Sequence, residues 1–175
     1  MKRHDFIATL QQRTGIAAVG PSALRGQGKG VLRATQTFLG QMDLSGVSTS
    51  SPRRYRKWLD GQTKRLLEKL PVNGSPWGTA RKALNLFMRD TLYNRYLNRR
   101  FGINAIEPWL EVPLDSAVAR GLKRHAGRGS LPQWPGLKKL KAGVSDEFQD
   151  FAQEHARAQG IERVHLDIYL WVENR

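Results

Sequence analysis

Along the chain, stretches of helical hydrophobic period alternate with short runs of Gly, Pro and Ser. Val31, Ala34, Phe38 and Met42 recur at helical spacing, and Asp43-Leu44-Ser45-Gly46 reads as the stop. Ser48 to Ser51 form a polar loop, after which Pro52 opens a helix at a position where its missing N–H costs nothing. Tyr55, Trp58, Leu59, Leu66, Leu67 and Leu70 make the apolar face of that helix and leave Arg53, Arg54, Lys57, Lys64 and Arg65 to solvent or to a partner. A second long helix is predicted from about Thr79 to Asn98, on a stripe of Ala80, Leu84, Phe87 and Met88 continued by Leu92, Tyr96 and Leu97. Behind Pro113 a helix spans Ser116 to His125, and Ser145 caps another that ends near Gly160.

Two segments resist a simple reading. Residues 16–30 are Gly-rich and read as loop; the Gly26-Gln27-Gly28-Lys29-Gly30 run lacks the Ser/Thr and the spacing of a nucleoside-triphosphate loop, so a flexible basic connector is preferred to a phosphate cradle. In the tail, Val164, Leu166, Ile168, Leu170 and Val172 alternate strictly, which is a strand pattern. A lone strand has nothing to pair with, and a buried helix is preferred there. The expectation is an all-α fold: one helical domain over residues 1–175, with helices of roughly 10–20 residues around one core and residues 1–30 partly loop.

Composition narrows the chemistry. The 175 residues include no cysteine, which excludes a disulfide scaffold, a thiolate-held metal and a cysteine nucleophile. His4, His125, His155 and His165 show no ligand spacing, so neither a metal site nor a cofactor is expected. No run of about 18 apolar residues occurs, and no apolar core with a cleavage site follows the basic start; the expectation is a cytoplasmic, nucleoid-associated protein without a membrane partner. Charge is the strongest signal. Lys and Arg number 29 against 15 Asp and Glu, and 26 of those cations but only 8 of the anions fall in residues 1–143. Concentrated positive charge repels itself unless a polyanion neutralises it, so nucleic acid is the expected partner.

Two places carry candidate chemistry. From Leu70 to Asn85 the sequence reads Leu-Pro-Val-Asn-Gly-Ser-Pro-Trp-Gly-Thr-Ala-Arg-Lys-Ala-Leu-Asn, a helix end, a Pro/Gly turn and a new helix. Such a hairpin presents N–H groups that bind a DNA phosphate without reading sequence, although an ordinary helix connection has the same composition. From Leu110 to Arg120 the sequence reads Leu-Glu-Val-Pro-Leu-Asp-Ser-Ala-Val-Ala-Arg, with Asp115 at a helix N-cap, where the helix dipole keeps a carboxylate ionised.

Together these segments resemble the helix–hairpin–helix (HhH-GPD) superfamily of DNA glycosylases, over about residues 62–126. In that family a Leu-Pro-Gly-x-Gly hairpin leads into a Thr-Ala helix, and a Val-Pro-x-Asp-Thr/Ser-x-Val-x-Arg segment bears the essential aspartate. Val112, Pro113, Asp115, Ser116, Val118 and Arg120 match the second motif; Leu70, Pro71, Thr79, Ala80, Leu84 and Asn85 match the first in part, with a longer turn. Ala117 stands where many members carry His, and the missing cysteines exclude the iron–sulfur subfamily. Gly78 occupies the place of the bifunctional lysine, but Lys82 lies one turn on, at a separation from Asp115 similar to that in the archaeal 8-oxoguanine glycosylase branch.

The resemblance implies a monomeric enzyme that flips a damaged or modified base out of duplex DNA and excises it. Asp115 and Lys82 would be catalytic; Gly74, Gly78, Thr79, Arg81 and Arg120 would hold DNA; Trp77, Trp109 and Asn85 would line the base pocket. Two mechanisms stay open: attack of Lys82 on C1′ with β-lyase cleavage, or water attack assisted by Asp115. From another class, a non-catalytic basic helical module for DNA or RNA fits the same charge. His165 and Asp167 share one side of the tail only if it is a strand, and no role is assigned to them.

Overall fold

The chain's first helix, α1 (Arg3–Ala18), carries hardly any hydrophobic stripe, and its packing against α2 (Val31–Gln41) explains how it is held nonetheless. The structure, a computed structural model, describes residues 3–71 and 76–173. Where the two helices touch, Gly15 faces Gly40: a Cβ on Gly15 would lie 3.1 Å from the Gly40 nitrogen, and one on Gly40 would lie 3.1 Å from Gln12 Cα. Two glutamines then cross-cap the pair. Gln11 Nε2 of α1 donates to the carbonyls of Leu39 and Met42 at the end of α2, at 3.2 and 2.7 Å. Gln36 Nε2 of α2 donates to the carbonyls of Ile16 and Val19 at the end of α1, at 3.3 and 2.9 Å. Helix C-termini leave carbonyls without intrahelical partners, and here each helix supplies them to the other.

The glycine-rich connector is a docked turn. Gly26, Gly28 and Gly30 all have positive φ, a backbone that other residues rarely adopt, and Gln27 between them accepts a 2.6 Å hydrogen bond from Thr79 Oγ1. After it, α3 (Pro52–Leu67) starts as predicted, with Ser51 Oγ accepting from Arg54 N–H. The long helix expected from Thr79 to Asn98 is instead two: α4 (Trp77–Tyr93) stops at Asn94, whose extended backbone and Oδ1, accepting from Tyr96 and Leu97 N–H, cap α5 (Arg95–Phe101). A 3-10 turn over Ile103–Trp109 leads to α6 (Ser116–Ala126). Helix α7 (Ala142–Ala158) begins three residues before Ser145, which is therefore a buried helical residue and not the cap. Its end meets the expectation, with Gly160 at φ 70°.

The tail is helical, α8 (Leu166–Glu173) after a short 3-10 turn, and no strand occurs among the described residues. Only Leu166 and Leu170, four apart, are buried; Ile168 and Val172 face outward. The fold is all-α, as the periodicity implied. The expected single core is divided into two apolar clusters. One gathers α1 to α4 with Ile103, Ile106 and Leu110; the other gathers Val112, Leu114 and the inner faces of α6, α7 and α8. Helix α4 is buried continuously from Gly78 to Met88. Its start is clamped by the turn at 137–140: a Cβ on Gly78 would sit 2.4 Å from the Leu137 carbonyl oxygen and 2.7 Å from Leu140 Cβ.

Gly78→Ala is expected to lower stability by about 1–3 kcal/mol, because the obstacle is backbone. Gly143→Ala, in an α7 site with nothing within 4 Å, is expected to raise it by about 0.5–1 kcal/mol. Urea unfolding of the two variants measures both, and equal midpoints would refute the clamp.

Candidate active site

Helix α4 is the most enclosed helix in the fold, yet Arg81, Lys82 and Asn85 lie within its buried stretch, and Arg89 follows at its end. These spacings of three, four and seven put neighbouring polar groups along one side of the helix. Arg81 is 2% exposed. Its Nε and Nη2 each donate to Glu111, at 2.8 Å, and its Nη1 donates to Asp60 at 2.8 Å and to Thr63 Oγ1 at 3.0 Å. Asn85 Nδ2 adds a 2.9 Å bond to the same Glu111, which leaves Asn85 Oδ1 buried without a partner. Burial alone would push the Glu111 carboxyl up, but Arg81 and Asn85 outweigh it and hold the group below the ordinary carboxylate range. This is a structural ion pair tying α4 to the segment that carries Asp115.

Directly beside it stands the second pair. Lys82, 7% exposed, places Nζ 3.1 Å from Asp115 Oδ2 and donates to the Ala23 carbonyl at 2.9 Å. Asp115 is the N-cap of α6: Oδ1 accepts from the N–H groups of Ala117 at 2.9 Å and Val118 at 3.0 Å. One carboxylate oxygen thus serves the helix and the other faces the amine. Partial burial raises the Asp115 carboxyl, whereas Lys82 and the two N–H donors lower it, and the net position is below the ordinary value. A nucleophile and a carboxylate within hydrogen-bond reach, with the carboxylate oriented by a third group, form an arrangement suited to proton transfer and nucleophilic attack.

The remaining predicted residues divide. Gly74 lies outside the described residues. Gly78, Thr79 and Arg81 are not presented to a partner: Gly78 is covered by the 137–140 turn, Thr79 is spent on Gln27, and Arg81 is enclosed by acids. The N–H groups of Thr79 and Ala80 both donate to the Pro76 carbonyl, so the phosphate contacts expected of them are already filled from within the chain. Arg120 is exposed on α6. Trp77 is partly buried against the second cluster, with the Arg81 guanidinium 5.3 Å from its ring. Trp109 lines a separate cleft of about 330 Å³ with Arg56, Arg157 and Arg163, in which neither Lys82 nor Asp115 takes part. Asn85 belongs to the Glu111 network.

Sequence reasoning missed Asp167. Arg89 of α4 donates to it from Nη1 while its Nε and Nη2 hold Asp90 at 2.9 and 2.8 Å. Burial raises the Asp167 carboxyl above its ordinary value, and the nearby Asp115 carboxylate adds to the rise against the pull of Arg89 and Lys82. The two carboxyls are therefore shifted in opposite directions, Asp115 below and Asp167 above the ordinary value. An open cleft of about 450 Å³ adjoins Asp167, lined by Arg89, Asp90, Tyr93, Ile168 and Trp171. Tyr93 OH lies 2.8 Å from His165 Nδ1, and His165 Nε2 lies 2.9 Å from Glu107. A signal existed: read as a helix, the tail puts Asp167 and Trp171 four apart on one face, which strict alternation concealed. No family model matches the chain, and no curated protein or solved structure matches it.

Glu111→Gln is expected to destabilise the fold by about 3 kcal/mol at neutral pH, since it removes the buried partner of Arg81 and leaves only the half-exposed Asp60. Glu111 has a lowered folded-state value, so its contribution is present above the unfolded-state pKa and is lost as pH falls through the folded one. The gap between variant and wild type should accordingly narrow as the pH falls below the ordinary carboxylate range in urea titrations. A gap independent of pH would mean that the carboxylate charge is not what Arg81 needs.

Proposed function

We propose that the protein is a DNA glycosylase acting on a damaged or modified base in duplex DNA, with Lys82 and Asp115 as its catalytic residues. The observation that carries this reading is the 3.1 Å approach of Lys82 Nζ to Asp115 Oδ2 across the two helices that the resemblance singles out. In the lyase route, Asp115 accepts a proton from Lys82, and the freed amine attacks C1′ of the flipped nucleotide as the bond to the base breaks. The leaving base takes up a proton, the sugar ring opens to a Schiff base on Lys82, and β-elimination cleaves the strand on the 3′ side. In the hydrolytic route, Asp115 stabilises the positive sugar electrostatically while water attacks, and an abasic site remains.

The reading assigns base reception to the cleft beside Asp167, with Tyr93 and Trp171 as the stacking surfaces, in place of Trp77 and Trp109. DNA would be held by exposed cations such as Arg120, the net charge of +14 supplying the long-range attraction.

Borohydride treatment during incubation with lesion-bearing duplexes is expected to trap a covalent adduct that Lys82→Gln abolishes; base release without any adduct selects the hydrolytic route. Asp115→Asn retains an N-cap residue and is expected to reduce base release by about 10²–10⁴-fold while leaving duplex affinity intact. Duplex binding with no base released from any lesion, by wild type or variant, would instead identify a non-catalytic DNA-binding module.

A further inference from the structure

Residues 6–42 and 116–145 contain neither Asp nor Glu, and the fold brings a loop from each of these stretches to the start of α4. The first is the connection between α1 and α2. Its Gln27 accepts from Thr79 Oγ1, a Cβ on its Gly30 would lie 3.1 Å from Pro71 Cγ, and its Ala23 carbonyl accepts the 2.9 Å hydrogen bond from Lys82 Nζ. The second is the connection between α6 and α7. Its 137–140 turn covers Gly78, and its Trp134 donates from Nε1 to Ser116 Oγ at 3.1 Å, next to Asp115. One loop therefore meets the amine end of the Lys82–Asp115 pair and the other its carboxylate end. Arg25 and Lys29 stand on the first, and Arg128, Lys138, Lys139 and Lys141 on the second. All six are exposed, and none makes an ion pair among the described residues. Helix α3 is different: Asp60 and Glu68 are interspersed among its cations, and Arg56 is held by Asp60 and Asp146. Unneutralised cations gathered around one point repel one another until an anionic partner is bound.

We infer that the two loops are the arms of a phosphate grip, which holds duplex DNA by the backbone on both sides of the nucleotide presented to Lys82 and Asp115. The inference rests on the glycosylase reading for the reaction, and it replaces the hairpin contact that the resemblance implies, because both arms pack over the residues that would make that contact. Charge placement selects the substrate class. A free nucleotide or a sugar phosphate carries its charge on one side of the sugar and leaves one arm unmatched. An internal nucleotide of a strand has one phosphate on its 5′ side and another on its 3′ side, which matches cations at both ends of the pair. Lys and Arg contacts of this kind fix the position of a backbone without reading sequence. A target at the end of a strand lacks phosphates on one side and engages one arm only.

Fluorescence anisotropy of the full chain tests it, with labelled DNA duplexes that carry a stable tetrahydrofuran abasic analogue at the centre or at one end, titrated at several salt concentrations. The central target is expected to bind at least about tenfold more tightly than the terminal one, because each phosphate contact releases counterions. Arg25→Ala with Lys29→Ala, and separately Lys138→Ala with Lys139→Ala, should each cost about tenfold in affinity for the central target and lower the slope of log affinity against log salt by about 1–2. Arg53→Ala with Arg54→Ala removes the same charge from exposed positions of α3 and should change affinity by less than about threefold. Urea midpoints equal to that of the wild type establish that the arm variants are folded. An α3 variant that loses as much as either arm variant would overturn the grip, as would equal binding of central and terminal targets or tighter binding of the matching RNA duplex. Arm variants that lose DNA affinity while no lesion's base is ever released leave the grip standing and sink the glycosylase reading. Base release undiminished in both arm variants at limiting DNA sinks the grip and leaves that reading in place.

Discussion

The bidentate pair between Arg81 and Glu111 is the constraint on which the rest of the arrangement depends. Arg81 sits in the middle of the stretch of α4 that is buried from Gly78 to Met88, and a guanidinium there is tolerated only with its donors matched to acceptors of fixed geometry. Glu111 supplies them, and in doing so fixes the position of the segment 110–115 relative to α4. Asp115 follows four residues later, so the neighbouring Lys82 meets it as a consequence of the same register. The two ion pairs have opposite characters. Arg81–Glu111 is enclosed and fully engaged, whereas Asp115 retains partial access to solvent, which a reacting group requires.

Packing and polarity are coupled throughout this region. The two apolar clusters lie on different sets of helices, with α4 in one and Asp115 capping a helix of the other. Arg163 extends the polar link, donating to the carbonyls of Trp109, Leu110 and Gln149 and so satisfying backbone that would otherwise be stranded. Gln149 returns a pair of bonds to Val112, at 3.1 and 2.8 Å, which holds the Val-Pro motif against α7. The acidic C-terminal region, whose charge opposed that of the remaining chain, contributes Asp146 to Arg56 and Asp167 to Arg89. Its negative charge is thus partly consumed in docking α7 and α8 onto basic helices.

Several elements were legible because they depend on neighbours in sequence. Ser51 with Pro52, Asp115 with Ser116, and Gly160 each declared a helix boundary through local backbone chemistry. Others were not. Helix α1 has no stripe because its contact with α2 uses glycines and reciprocal glutamine caps, which leave little trace in a hydrophobic period. The interruption at Asn94 was hidden because apolar residues keep helical spacing across it. In the tail the preferred helix forms in spite of the alternation, but only Leu166 and Leu170 of it are buried, so it is a surface helix and not the buried one expected.

What the sequence by itself determined is the all-helical class, the absence of thiol chemistry, the strongly basic character and the identity of Asp115 as an N-cap. These follow from composition and from interactions spanning a few residues. Tertiary structure decided which polar residues are enclosed by their partners and which keep access to solvent. Arg81 and Lys82 are adjacent and both cationic, yet a rotation of about 100° around α4 aims one at Glu111 and the other at Asp115. Asp167 meets Arg89 only through the packing of α8 against the rest of the fold, a contact between positions 78 residues apart that no local pattern encodes. Long-range burial sets the electrostatic environment of each group, and that environment, more than residue type, separates Asp115 from Asp167.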